Sequence, residues 1–143
     1  MNDVLRQAGA IPFRHEGGAL RVLLITSRDT GRWVIPKGGV DHGHTPAQAA
    51  VIEAFEEAGI KGSLHPSPLG FYTYGKRLKS GITRPTSVEV YALEFEKQLK
   101  KWPERSERKV EWMAVSDAVA AVEEPGLRLL MLRLSEIHLA VVD

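Results

Sequence analysis

The 143-residue chain contains no cysteine. That excludes a disulfide framework, a thiolate metal centre and a cysteine nucleophile. Neither sign of charge is in excess: the net charge is +1. Bulk electrostatics therefore argue against nucleic acid or a membrane surface as partner, although local clusters still count. No apolar run approaches the ~20 residues that cross a bilayer. Met1–Arg14 lacks the charged-then-apolar layout of a secretory leader, so the expected compartment is the cytoplasm. Repeats and low-complexity segments are also missing. What is present is an ordinary globular composition, 43% hydrophobic and 26% charged. It suits a single domain over residues 1–143 with a true core, and nothing in it specifies an oligomeric state.

Residues 7–14 read as extended, with Pro12 pointing to a sheet edge or a bulge. Glu16-Gly17-Gly18 is a turn. Leu20–Thr26 is rich in apolar and β-branched residues and reads as a buried strand able to close a hairpin on the first segment. Residues 28–44 are dense in glycine and read as a loop, with a short strand at Trp33–Ile35. The clearest helix covers 46–58: Thr45 is the N-cap, Pro46 the first helical residue, Gln48 completes a capping box and Gly59 is the stop. Strands follow at 68–75, 86–96 and 110–115. Ser116 caps a short helix that runs to about Val122, and a last one covers Leu127–Leu139 after the break at Pro125-Gly126. Helices set among strands predict an α/β (α+β) fold, with a mixed β-sheet and flanking helices.

On the 46–58 helix, Glu53, Glu56 and Glu57 are spaced i, i+3 and i+4 and share one face. Ala47, Val51, Phe55 and Ala58 fall opposite and are expected against the sheet. Like charges at this spacing repel by a few tenths of a kcal/mol, and the C-terminal half of a helix disfavours anions. An ordinary solvated face would mix in cations, but there is no Lys or Arg between Gly38 and Ile60. A bound cation would relieve the repulsion, and hard oxygen ligands suit Mg²⁺ or Mn²⁺. Immediately upstream, Pro36-Lys37-Gly38-Gly39 is a loop able to bring main chain close to a ligand.

The stretch from Trp33 through Gly38-Gly39 to Phe55-Glu-Glu-Ala-Gly-Ile60 resembles the signature of the Nudix hydrolases. That pattern is a glycine, five residues, Glu, seven residues, Arg-Glu, an aliphatic, any residue, Glu-Glu, any residue, Gly and an aliphatic. Gly38, Glu53, Glu56, Glu57, Gly59 and Ile60 match, and Ala54 stands in for the first aliphatic. His44 stands where the family has Glu, and Ile52 where it has Arg. Outside the motif, residues 58–62, Trp102 with Arg108-Lys109-Val-Glu-Trp112, Asp117-Ala118 and Ser27-Arg28 resemble the diphosphoinositol polyphosphate phosphohydrolases. Related diadenosine-polyphosphate hydrolases share many of these features.

The resemblance implies a Nudix-like α/β/α sandwich and metal-assisted attack of water on phosphorus in a diphosphate linkage of a small polyphosphate. It makes Glu53 and Glu57 metal ligands and Glu56 a ligand or proton acceptor. Main chain around Lys37 and Gly38 would complete the shell, and one later carboxylate, Glu104, Glu107 or Glu111, would join it. Ser27, Arg28, Lys37, Gly39, Lys76, Arg77 and Arg108 are the implied substrate contacts. Lys76 and Arg77 belong to the acid-free basic stretch 76–84. Ile52 cannot supply the ion pair that normally holds the carboxylates, which either lowers activity or passes that job to another cation. A catalytically weakened nucleotide-binding or regulatory module is therefore the alternative. Trp33 and Trp112 read as core. Trp102 and Tyr74 read as packing residues near charged loops, and His15, His42, His65 and His138 as ordinary surface or packing residues.

Overall fold

Gly17 and Gly18 turn the chain back on itself in the left-handed region, at φ 61° and 82°, a conformation open to glycine in a two-residue hairpin loop. The turn closes strand β1 (Leu5–Glu16) onto β2 (Ala19–Thr26), with Phe13 opposite Val22 and Glu16 opposite Ala19. The computed structural model describes residues 4–142, with side chains as far as His138. Met1–Asp3 of the stretch examined for a leader lie outside the described residues.

The elements continue as β3 (Trp33–Val34), β4 (Lys37–Gly39), α1 (Pro46–Ala58), β5 (Ile60–Leu64), β6 (Gly70–Arg77), β7 (Thr83–Gln98), β8 (Val110–Ala114), α2 (Val115–Ala121) and α3 (Pro125–Val142). The sheet is mixed. β1 runs parallel to β7 from Leu5–Thr86 to Phe13–Glu94, while β2, β4, β5, β6 and β8 pair antiparallel with their neighbours. Side chains alternate across it. Val22, Leu24, Val88 and Val90 join Leu127, Met131 and Leu134 of α3 in one core. Leu23, Ile25, Tyr91 and Leu93 join the alanines of α1 in the other. The expected sandwich is present, and Trp33 and Trp112 pack against these two cores as expected.

Several local readings change. Pro12 is buried within β1, not at an edge. It sits where one flank of β1 passes from β4, paired at residues 7–9, to β2, paired from residue 13, so it falls in a gap in that ladder. The expected loop 28–44 contains β4, and a strand without any expectation, β5, follows the helix directly. Both are short and contain glycine, so they carry little apolar pattern. The basic stretch 76–84 is the tip of a hairpin: β6 runs to Arg77, β7 starts at Thr83, and residues 78–82 form the connecting loop. α2 starts at Val115 with Ala114 as its N-cap and no side-chain cap, not at Ser116.

The largest correction concerns α1. Its bounds are those expected, and the capping box is formed, with Gln48 N–H donating to Thr45 Oγ1 at 3.1 Å and Thr45 N–H to Gln48 Oε1 at 2.8 Å. Its buried face is not. Ala49, Ala50, Ala54, Glu57 and Ala58 are buried, whereas Val51 is 44% exposed. Alanines on the helix meet Ala8 and Ala10 of β1. Small side chains on both surfaces seat the helix close to the strand, and this draws one glutamate inward.

Candidate functional site

Two features place the carboxylates. α1 lies against β1 and β4, and β4 carries Lys37-Gly38-Gly39 past the helix. Glu57 is buried, and each of its oxygens faces a partner: Lys37 N–H donates to Oε1 at 3.1 Å, and the Arg108 guanidinium forms an ion pair with Oε2 at 3.4 Å. One turn earlier, Glu53 packs its carboxylate on the bare α-carbon of Gly38. A Cβ at position 38 would overlap that carboxylate, so the space Glu53 occupies exists because residue 38 is glycine. Gly39, by contrast, has open space around it.

Burial raises the carboxyl of Glu53 to about 7, and the neighbouring charges of Glu57, Glu56, Glu104 and Asp41 push the same way. Burial also raises Glu57 to about 7, against the opposing pull of Arg108 and Lys37. The Lys37 ammonium is lowered, because burial outweighs Glu57 and Glu124. It stands 5.1 Å from the centre of the Tyr74 ring. Burial lifts that phenol to about 12, and its hydroxyl donates to Gln7 Oε1 at 2.8 Å.

Two carboxyls one helical turn apart, each with its charged form disfavoured by burial, are what a divalent cation would relieve. Among the described residues no group of three or more His, Asp or Glu side chains is arranged to enclose an ion by itself. Mg²⁺ does not need such a cage. It is commonly held by one or two carboxylates with water and substrate phosphate filling the rest. The donor set of Glu53, Glu57 and adjacent main-chain oxygen fits that chemistry.

Of the three later carboxylates, the structure brings Glu104 to the site. Its N–H donates to Glu56 O at 3.0 Å, and its Oε1 takes two contacts from Arg108, at 3.0 Å from Nε and 2.9 Å from Nη2. Glu107 is exposed and pairs with Arg28 at 3.0 Å, and Glu111 is exposed on β8. Arg28 also lies 3.8 Å from Glu104. Ser27 is fixed in a turn, its N–H donating to Arg32 O and its carbonyl accepting from Gly31, both at 2.8 Å. Lys76 and Arg77 stand at the end of β6, opposite Arg84 and Thr83. Trp102 covers Gly59. Sequence reasoning missed Thr26, whose carbonyl accepts from Arg108 Nη1 at 3.1 Å, and Gln7. A backbone carbonyl and a strand glutamine leave no pattern to find.

A mixed sheet between one helix and a pair, with a glycine strand laid against a glutamate-bearing helix, defines a Nudix-type hydrolase scaffold. The family model described as NUDIX domain matches residues 4–134, and the chain belongs to the Nudix hydrolase family. It is 31% identical over 134 residues to Nudix hydrolase 16, mitochondrial, of Arabidopsis thaliana, covering 85% of this chain and 74% of that one. It is 33% identical over 120 residues to diphosphoinositol polyphosphate phosphohydrolase 3-beta of Bos taurus, covering 82% and 69%. Two further plant relatives are matched over only 51% and 52% of their length. In fold it is similar to a C. elegans Ap4A hydrolase, with a TM-score of 0.73 and 24% identity, over 96% of this chain and 99% of that one. No helix among the described residues is long and apolar enough to cross a membrane.

Proposed function

We propose that this chain, acting as one domain, is a divalent-metal-dependent pyrophosphohydrolase that cleaves a diphosphate linkage in a polyphosphorylated small molecule. One observation carries the reading. A buried glutamate held by a main-chain N–H on one oxygen and an ion pair on the other stands one helical turn from a second glutamate seated on a glycine. Such an arrangement fixes one carboxylate in the protein interior and a second partly buried beside it, where leaving them unmatched is costly.

In this reading Glu53 and Glu57 hold Mg²⁺ or Mn²⁺, with main-chain oxygen at Lys37 and Gly38. Glu56 serves as a further ligand or takes the proton of the attacking water. The bound metal supplies charge neutralisation at phosphate oxygens and a lowered pKa for water. The chain's own groups do the rest. Lys37 places a cation beside Glu57. Arg28, Lys76 and Arg77, with Ser27 and Gly39, gather phosphate oxygens through hydrogen bonds, charge-assisted where the group is cationic. A diphosphoinositol polyphosphate is the first substrate to try, because a relative bearing that name matches 82% of the chain and because the hairpin carrying Lys76 and Arg77 has no acid between residues 76 and 84. Diadenosine polyphosphates are the second. We read the compartment as the cytoplasm.

The test is phosphate or nucleotide release from a panel: diphosphoinositol polyphosphates, diadenosine polyphosphates, ADP-ribose, nucleoside triphosphates and capped RNA, with Mg²⁺ or Mn²⁺. Turnover that disappears on chelation, and in Glu57→Gln and Glu56→Gln proteins with unchanged circular dichroism, is the expected result. Tight nucleotide binding without turnover of any member would establish the binding-module reading, for which His44 and Ile52 are the motive.

A further inference from the structure

Position 52 lacks the arginine that this family uses to hold its carboxylates, and α1 has no other cation to offer. Ile52 instead lines a shallow apolar groove with Val51, Leu64 and Pro66. His44, the other departure from the signature, lines the same groove. Both departures from the signature thus lie side by side, and they also border a small polar pocket with Asp41, Glu53 and Glu56.

A guanidinium nevertheless reaches the site from the connection between β7 and β8. The Arg108 side chain is only 9% exposed. Every one of its nitrogens is engaged: Nε with Glu104 at 3.0 Å, Nη1 with the Thr26 carbonyl at 3.1 Å, and Nη2 with Glu104 at 2.9 Å and Glu57 at 3.4 Å. The resemblance implied a phosphate contact here, yet the fork points inward. Its outer neighbour Arg28 is 54% exposed at the side chain and is the one that faces solvent. Glu104 is itself tied to the helix, because its N–H donates to Glu56 O.

We propose that Arg108 is the positioning residue for Glu57, replacing from another element the arginine that position 52 lacks, with Glu104 as its anchor. Lys37 N–H holds one oxygen of Glu57 and Arg108 the other. A carboxylate oxygen has two lone pairs, so each keeps one for a metal ion while the plane of the group is fixed. A planar guanidinium with several fixed donors suits this task, and an ammonium does not.

The inference rests on the metal-dependent reading, so the experiment measures metal binding directly, without substrate. Mn²⁺ affinity is followed by electron paramagnetic resonance for the wild type, Arg108→Met, Arg108→Lys and Arg28→Met, each checked for folding by thermal melting. Outer partners of metal ligands typically contribute about 10–100-fold to affinity or activity. Arg108→Met is expected to weaken Mn²⁺ binding about tenfold and lower kcat about a hundredfold, with KM within threefold. Arg108→Lys is expected to fall between it and the wild type. Arg28→Met should leave Mn²⁺ affinity unchanged and raise KM. Simple charge removal has the opposite sign, since deleting a cation beside two carboxylates would tighten Mn²⁺ binding. Unchanged or tighter binding in Arg108→Met, or in Arg108→Lys should the Met protein not fold, overturns the inference alone. A wild type that binds no Mn²⁺ overturns the metal-dependent reading and this inference with it.

Discussion

Glu53→Gln is expected to stabilise the metal-free protein at pH 8 while abolishing hydrolysis. Burial and the charges of Glu57, Glu56, Glu104 and Asp41 all raise the Glu53 carboxyl, from 4.5 to about 7. Between those values the folded protein holds a proton that the unfolded chain releases. The group's contribution to stability therefore falls as pH rises through that window and is fully unfavourable above it. A shift of this size corresponds to about 3 kcal/mol. Glu53 is partly exposed, and solvent screening reduces this to ~1–2 kcal/mol. Glutamine has nearly the same shape and fits over Gly38 without the charge. Urea denaturation in EDTA at pH 4.5 and pH 8 measures the effect: the variant and wild type should agree at the lower pH, and the variant should be more stable at the higher. Added Mn²⁺ should close the gap by stabilising the wild type, by about 2.7 kcal/mol at a hundred times its Kd. A variant no more stable than wild type at pH 8, or a difference independent of pH, refutes the argument that Glu53 is held charged at a cost.

Gly38→Ala should separate activity from stability. Its methyl would meet the end of a flexible side chain, so the fold should lose no more than ~1–3 kcal/mol. A displacement of about 1 Å in the reacting assembly lowers the rate about a hundredfold, which kcat at saturating metal would report. Gly59→Ala should do the reverse and act on folding, because residue 59 is left-handed at φ 66° and its Cβ would overlap the Trp102 ring. The backbone contributes about 1–2 kcal/mol and the overlap about 1–3 more, read as a lower urea midpoint. Arg28→Ala should change stability by less than about 0.5 kcal/mol, since its partner Glu107 is exposed. Loss of one charge-assisted phosphate contact should raise KM about tenfold.

The sequence was most legible where local chemistry settles structure unaided. Thr45, Pro46, Gln48 and Gly59 fixed both ends of α1, and Gly17-Gly18 fixed the hairpin. It was least legible where tertiary contacts override a pattern. Reading α1 by charge put all three glutamates on an outer face and Val51 within. The helix buries alanines instead, too small to dominate a hydrophobic period, and Glu57 goes in because Lys37 N–H and Arg108 receive it. β4 owes its existence to pairing with Gln7, Ala8 and Gly9, which no window on residues 37–39 contains. Three acidic residues in the 97–111 region looked equivalent in the sequence. Only the folded connection brings Glu104 back to Glu56.

That connection has a meaning for how this protein can change. The last carbonyls of α1 are not left to solvent. Glu104 N–H takes Glu56 O, Gln98 Nε2 takes Ala58 O and Gly59 O at 3.1 Å each, and Leu99 N–H takes Gly59 O at 2.8 Å. The connection between β7 and β8 and the signature helix are thus one mechanical part. Loop grafting, the usual route to a new specificity, would here also unfasten the helix terminus. A successful graft would have to carry residues 98–104 as a fixed cassette and confine its variation to the residues beyond.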